Sequence, residues 1–224
     1  FFRDRRFSNL IMSAVVRSRE SLLEALGESV HDNTFIITAM DAETFGHHRP
    51  GLEKMLFEIF DTSEPELIQI SDIPNLFSRK TPICPAQATW SSSTHDIERG
   101  IQFLSWQDPE NTIHAWQHQF VALTLKAVYA LHPASLEYQS VRKKMDISLA
   151  SDHFWWASCK PWWSLEMIED GAFRLLDTLR SIPNLSPEFL AQGRDLYEKI
   201  ITTAFAWQRT GKVRKMMQDQ PTIG

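Results

Sequence analysis

The sequence contains only two cysteines, and this scarcity excludes several kinds of site. Cys84 and Cys159 lie far apart and form no CxxC pattern, so the chain has neither a disulfide framework nor a cysteine-based zinc site. It also lacks a Gly-rich phosphate loop and a GxSxG turn, which leaves nucleotide binding and serine-hydrolase chemistry without support. Few cysteines indicate a reducing compartment, and we expect a cytoplasmic protein.

Long apolar runs and basic stripes are missing as well. No stretch reaches the ~18 apolar residues of a membrane span, and no signal peptide is visible. The net charge is −5, so we expect neither nucleic acid nor a membrane surface as a partner. The 224 residues, 43% of them hydrophobic, suffice for the core of one or two domains. The chain begins with Phe1 rather than methionine, and we expect a fragment of a longer protein.

Tryptophan is abundant, with eight residues. An excess of tryptophan indicates either a large core, because indole buries much apolar area, or a sugar-binding cleft, because flat rings stack on sugars. The pair Trp162 and Trp163 is predicted to pack inside a helical bundle.

The first third of the sequence alternates between helical and strand-like patterns. Apolar residues at helical spacing predict helices over 7–26 and 51–61. Residues 34–40, TFIITAM, and 66–71, ELIQIS, are typical of short strands, the first buried on both faces. This alternation predicts βα units on a parallel sheet.

The remaining sequence has helical periodicity. We therefore predict three parts: βα units over 1–85, a helical domain over 86–215 and a loose tail over 216–224. Asp108 before Pro109 and Ser186 before Pro187 are both predicted as helix caps.

The segment after the first predicted strand carries candidate site residues. Asp41 follows the strand directly, at the end where parallel α/β folds bind ligands, and Glu43 lies on the same side of an extended chain. Gly46 permits a sharp turn, which would let Phe45, His47 and His48 rim a pocket. A carboxyl group among aromatic rings can have a raised pKa and act as a general acid. The structural alternative is that Asp41 caps the helix near residue 51 or pairs with Arg49.

Residues 41–48, DAETFGHH, resemble the fourth signature of glycoside hydrolase family 57, whose members act on α-glucans. Three further stretches resemble uncharacterised members of that family. They are Thr89-Trp90-Ser91, the run from Trp106 through Asp108-Pro109-Glu110-Asn111, and residues 150–157, ASDHFWWA. The resemblance spans most of the chain.

This resemblance implies a fold and a reaction. The fold would be the C-terminal part of an incomplete (β/α)7 barrel followed by a helical bundle that closes over the cleft. The reaction would be retaining hydrolysis or glycosyl transfer on α-glucans without a cofactor or metal, and Asp41 would be the general acid/base. The nucleophilic glutamate of the family is not found here. We therefore expect it in a missing N-terminal part of the barrel, which would be a partner of this chain.

The resemblance also implies substrate-binding residues. They are Glu43, Phe45, His47, His48, Trp90, Asp152, His153 and Trp155, and an α-glucan or other oligosaccharide would be the ligand. Trp90 would be a stacking platform or, alternatively, a loop anchor. Asp152 would bind substrate or orient His153, or alternatively cap a helix whose aromatic rings belong to the core.

Other functions remain open from sequence. A non-catalytic carbohydrate-binding homologue would keep the cleft without the chemistry. A metal-dependent polysaccharide deacetylase would need Asp41, His47 and His48 to converge, but adjacent histidines project in different directions. A helical interaction module would lack a pocket around Asp41.

Because the nucleophile is not found, we predict that this chain alone does not turn over a glycoside. The measurement is reducing-sugar release from maltooligosaccharides by the purified chain. Hydrolysis that is present in the wild type and lost in Asp41→Asn would contradict the prediction.

Overall fold

The computed structural model describes residues 1–28, 33–89 and 92–218. The chain divides into two compact units, Phe1–Ile83 and Cys84–Gly224. Each unit has its own apolar core.

Unit 1 consists of short helices around a small core. The helices are α1 (Arg5–Met12), α2 (Arg19–Leu26), α3 (Glu53–Phe60) and α4 (Ile73–Leu76), with single 3-10 turns at Ala42–Thr44 and Ile70–Asp72. The fully buried side chains of Leu52 and Met55 lie at the centre, packed with apolar residues of α1 and α2. Many other large apolar side chains of this unit are exposed, Phe57 and Phe60 among them.

The predicted sheet is absent from the described part of the chain, so the assignment to an α/β fold with part of a (β/α)7 barrel is wrong. Residues 34–40 run through without forming a strand, and the second predicted strand, 66–71, leads into the turn Ile70–Asp72. Within the described ranges, β-pairing is limited to one isolated bridge between Phe45 and Arg49.

Residues 34–40 form no strand because a strand requires a neighbouring strand as its hydrogen-bond partner. Residues 34–40 bond instead to the start of the chain: Asp4 N–H donates to the Ile37 carbonyl at 2.7 Å, and Ser8 accepts from Ala39 N–H at 3.2 Å. β-propensity describes side chains that fit a pleated surface, and without a neighbouring strand it forms no ladder.

The helix predicted over 7–26 is divided in two. The side chain of Ser18 accepts from Ser21 N–H, and Ser21 reaches back to Ser18 N–H, so a reciprocal cap begins α2 at Arg19. Ala14, with φ of 57°, lies in the break. Gly27, with φ of 58°, ends α2.

The regular structure of unit 2 is all helical in its described residues. Its helices are α5 (Thr94–Glu98), α6 (Thr112–Tyr129), α7 (Leu136–Ser148), α8 (Asp152–Trp156), α9 (Leu165–Arg180), α10 (Pro187–Thr210) and α11 (Lys212–Gln218). Helix α9 packs on α10, α7, α8 and α6, so it is the central element of this unit. The fully buried Phe120, Leu175 and Ile200 belong to the core between these helices.

The two predicted caps have different outcomes. Ser186 caps α10, with Pro187 at the first helical position, as predicted. Asp108 does not cap α6, because Asn111 accepts from Ile113 N–H and His114 N–H in that role. The Asp108 carboxylate instead accepts from Lys160 Nζ at 2.6 Å.

We predict that Ile200→Ala lowers the free energy of unfolding of unit 2 by about 2–5 kcal/mol, because it leaves a cavity between α10 and its neighbours. All eight tryptophans lie between residues 90 and 207, so tryptophan fluorescence during urea unfolding reports on this unit alone. The control Ile147→Ala removes the same atoms from a side chain that is 59% exposed, and should change stability by less than about 0.5 kcal/mol. Equal losses of unfolding free energy in the two variants would contradict the burial of Ile200 in the core.

Candidate functional site

Asp41 lies at the surface of unit 1, immediately before the turn Ala42–Thr44. Its predicted place at the end of a parallel strand is not supported, since residues 34–40 form no strand. Both structural alternatives are also unrealised. Helix α3 starts after Leu52 without any side-chain cap, and Arg49 Nε donates to the Met12 carbonyl at 3.1 Å. Within the described residues the Asp41 carboxylate is thus exposed and makes no hydrogen bond or ion pair.

Glu43 and His48 form the polar contact next to Asp41. Glu43 Oε1 lies 3.1 Å from His48 Nε2, and His48 N–H donates to the Glu43 carbonyl at 2.9 Å. The ring centroids of His47 and His48 are 4.9 Å apart, and both residues are exposed. These contacts close the chain into a compact loop that presents two carboxylates and two imidazoles to solvent.

The rest of the loop anchors it to unit 1. Phe45 packs against the core of unit 1 and so anchors the loop to it. Gly46 has φ of 98°, which a residue with a side chain rarely adopts, and a Cβ there would meet Glu53 Oε2 at 3.4 Å. The same Glu53 oxygen accepts from Gly51 N–H at 2.9 Å. The backbone that carries the exposed groups of the loop is therefore anchored to unit 1.

In unit 2, α6 is joined to α8 by three hydrogen bonds from side chains to backbone carbonyls. They run from Asn111 Nδ2 to Ala157 at 2.9 Å, from His114 Nε2 to Phe154 at 2.8 Å and from Gln117 Nε2 to His153 at 2.8 Å. All three donor residues are buried. Two stretches that carry the family resemblance, 106–111 and 150–157, are thereby brought together.

His114 is held as a neutral imidazole. Asp108 N–H donates to its Nδ1 at 3.1 Å, so the proton resides on Nε2, which donates to the Phe154 carbonyl. Burial lowers the pKa of His114 to about 4, against smaller opposing effects of that carbonyl and of the Asp108 carboxylate.

His153 is a second buried imidazole. Its Nδ1 lies 3.2 Å from Gln117 Nε2, which donates to it. Among the described residues, His153 Nε2 and Gln117 Oε1 have no hydrogen-bond partner. Burial lowers the pKa of His153 to about 4, helped by His118 and His114. Gly171 lies directly against it: a Cβ at 171 would come 2.3 Å from the His153 Cβ.

Asp152 precedes His153 at the exposed start of α8. It is the first residue of the helix rather than its cap, which is Ser151. Asp152 and His153 line a depression of about 170 Å³ together with Asp170 and Arg174, which pair at 2.6 Å. The depression thus offers carboxylates and a guanidinium, groups that suit a polar ligand.

The tryptophan candidates have different outcomes. Trp155, at the end of α8, is partly exposed and lies 5.3 Å from Trp156, centroid to centroid. Trp90 lies outside the described residues. The Asp41–His48 loop belongs to unit 1, and Asp152, His153 and Trp155 belong to unit 2.

Metal-ligand clusters and membrane-spanning helices are both absent from residues 1–28, 33–89 and 92–218. No group of three or more histidine, cysteine, aspartate or glutamate side chains is arranged to hold a metal ion. No helix in these ranges has both the length and the apolar character that crossing a membrane demands.

Sequence reasoning missed His114 and Gln117. The available signal was their spacing of three on a face of α6 that also carries Ile113 and Phe120. Polar residues at helical spacing within an apolar face indicate buried groups that need hydrogen-bond partners.

No protein-family model, curated protein or solved structure matches the chain.

We predict that unit 2 loses stability as the pH falls from about 6.5 to about 4. In the unfolded chain His114 and His153 bind protons below pH ~6.5, whereas the folded pKa values are about 4. Acid therefore favours the unfolded state, by up to about 1.4 kcal/mol per pH unit for each histidine. The measurement is urea unfolding at pH 7, 5.5 and 4.5, followed by tryptophan fluorescence.

The variant His153→Asn should have a shallower pH dependence, because one of the two buried titrating groups is removed. The control is His132→Asn, which changes an exposed imidazole just after α6 and should leave the slope near that of the wild type. Identical slopes for wild type and His153→Asn would show that His153 is not responsible.

Proposed function

We propose that the chain is part of a retaining glycoside hydrolase or glycosyltransferase that acts on α-glucans. In this proposal Asp41 is the general acid/base, and the nucleophilic glutamate comes from residues outside these 224. Its residues resemble those of glycoside hydrolase family 57, and the scarcity of cysteine supports a cytoplasmic setting. No cofactor is needed for this chemistry.

The observation that carries the proposal is the state of the Asp41 carboxylate. It is exposed, caps no helix and does not pair with Arg49, although each of those roles would explain an aspartate at this position. The neighbouring Glu43 is paired with His48, and the loop is anchored by Phe45. A carboxylate that has no intramolecular partner and lies on an anchored loop is suited to bind a ligand.

The proposed chemistry needs one proton at Asp41. As acid, it would protonate the glycosidic oxygen while the nucleophile attacks the anomeric carbon, and the glycosyl–enzyme bond would form as the leaving sugar departs. As base, it would then take a proton from water for hydrolysis or from a sugar hydroxyl for transfer. Glu43, His47 and His48 would bind substrate hydroxyls, because carboxylates accept and imidazoles do either.

Unit 2 would bind glucan through residues of its own. Asp152 is exposed beside the depression that Arg174 also lines, and its carboxylate would accept from sugar hydroxyls. His153 is buried, so its role would be to position Asp152 from within α8. Trp155 is partly exposed and would stack on a sugar ring.

A non-catalytic carbohydrate-binding protein is the second candidate, and one observation favours it. General acids of glycosidases lie in enclosed clefts, whereas Asp41 lies open at the surface of unit 1. A binding protein would use the same polar loop and tryptophans without any proton transfer.

The decisive experiment uses the longest open reading frame that contains this sequence, assayed on maltooligosaccharides. We predict that Asp41→Asn lowers kcat about 10²–10⁴-fold, because the amide cannot give up a proton to the leaving oxygen. With a glycosyl fluoride the loss in the first step should be smaller, since fluoride departs without protonation.

The matched control is Asp61→Asn, which neutralises another exposed carboxylate of unit 1, at the end of α3. It should retain wild-type kcat. Full activity in Asp41→Asn would remove the acid/base assignment. Glucan binding without turnover by the wild-type protein would establish the non-catalytic alternative instead.

A further inference from the structure

Trp162 is exposed where the sequence predicts a packed residue. Its neighbour Trp163 packs against the core of unit 2 and stacks on Trp207 with centroids 6.0 Å apart. Trp162 is 51% exposed, so its predicted place inside the bundle is wrong. Burial of an indole removes about 150–250 Å² from water, so leaving half of one in solvent forgoes much stabilisation.

The loop that carries Trp162, residues 157–164, is held at several points. Cys159 N–H donates to the Trp162 carbonyl at 2.8 Å, and Ser164 N–H donates to the Trp156 carbonyl at 3.1 Å. Lys160 is bonded through its ammonium to Asp108, and its carbonyl accepts from the Ser105 hydroxyl at 2.6 Å. The exposed indole is therefore presented by an ordered loop, which reduces the entropy lost when a ligand binds.

Two indoles accompany Trp162 without lying flat on it. Trp155 is 6.1 Å away with 55° between the ring planes, and Trp156 is 6.0 Å away with 65°. Trp155 also lies three residues after Asp152 on α8, so these two side chains share one side of the helix. A polar acceptor and exposed aromatic surface thus adjoin each other.

The charge of the loop restricts the ligand. Lys160 is the sole charged residue between 157 and 164, and its ammonium is neutralised by Asp108 at 2.6 Å. A neutral ligand with one apolar face and hydrogen-bonding groups at its edge fits this surface. A pyranose ring has that form, because its C–H bonds face the indole while its hydroxyls remain at the rim.

We propose that Trp162 is a stacking platform for a glucose ring of an α-glucan and extends a binding surface that begins at Asp152 and Trp155. The choice of sugar rests on the function proposed above. The position of the platform rests on the exposed indole and its ordered loop.

The test is isothermal titration of the full chain with maltoheptaose. Trp162→Ala should weaken binding about tenfold or more, and Trp162→Phe should weaken it less, because a smaller ring remains. Phe205→Ala is the control: it removes an aromatic ring that is 60% exposed on α10 of the same unit, and should bind like wild type. Circular dichroism verifies that each variant is folded.

A second measurement uses the wild-type chain and needs no substitution. N-bromosuccinimide oxidises exposed tryptophans, and mass spectrometry of the digested chain locates the products. Maltoheptaose should slow oxidation at Trp162 severalfold. Unchanged oxidation of Trp162 in the presence of saturating ligand would overturn the proposal even if Trp162→Ala failed to fold.

The outcomes separate this proposal from the function on which it rests. Wild-type affinity in Trp162→Ala overturns the platform and leaves the glucan function standing. Loss of binding in Asp41→Asn but not in Trp162→Ala also overturns the platform, because the glucan is then held in unit 1. If the wild-type chain does not bind maltoheptaose at all, the platform and the glucan substrate are both rejected.

Discussion

The organisation of unit 2 depends on the three hydrogen bonds that α6 side chains donate to the carbonyls of His153, Phe154 and Ala157. Helix α8 has only five residues and few backbone hydrogen bonds of its own, so it depends on donors outside it. Asn111, the N-cap of α6, and His114 and Gln117 within α6 supply three such donors. The position of α8, and with it the orientation of Asp152 and Trp155, follows from α6.

This constraint also explains why buried polar residues are neutral rather than charged. An imidazolium at 114 or 153 would lose its hydration on burial, and this loss keeps both rings neutral. Asp108 is the exception, and it is compensated by the ammonium of Lys160, which at the same time ties down the loop that carries Trp162. The ion pair between Lys160 and Asp108 thus stabilises both the segment that leads into α6 and the loop that presents Trp162.

The sequence predicted helices well and sheets badly, for a physical reason. The helical periodicity predicted after residue 85 is confirmed in α6, α9 and α10, because one apolar stripe per helix reports burial directly. Residues 34–40 have the composition of a buried strand, yet composition does not reveal whether a neighbouring strand exists. Site residues followed the same division. Asp41 was predicted from a local pattern and Asp152 from the family resemblance, and both stay predictions. The burial of Gln117 and the exposure of Trp162 depend on contacts across 36 residues and on a loop geometry that no local pattern encodes.

The close contact between Gly171 and His153 restricts how this protein can evolve. The atom that a side chain at 171 would strike is the Cβ of residue 153, which every amino acid except glycine possesses. A second substitution at 153 therefore rescues a change at 171 only if it is to glycine, which would weaken the short helix α8. The remaining escape is to move α8 away from α9, and that movement lengthens three hydrogen bonds at once. Positions 171, 153, 111, 114 and 117 should consequently behave as one epistatic group, in which single accepted changes are rare and paired changes do not restore one another.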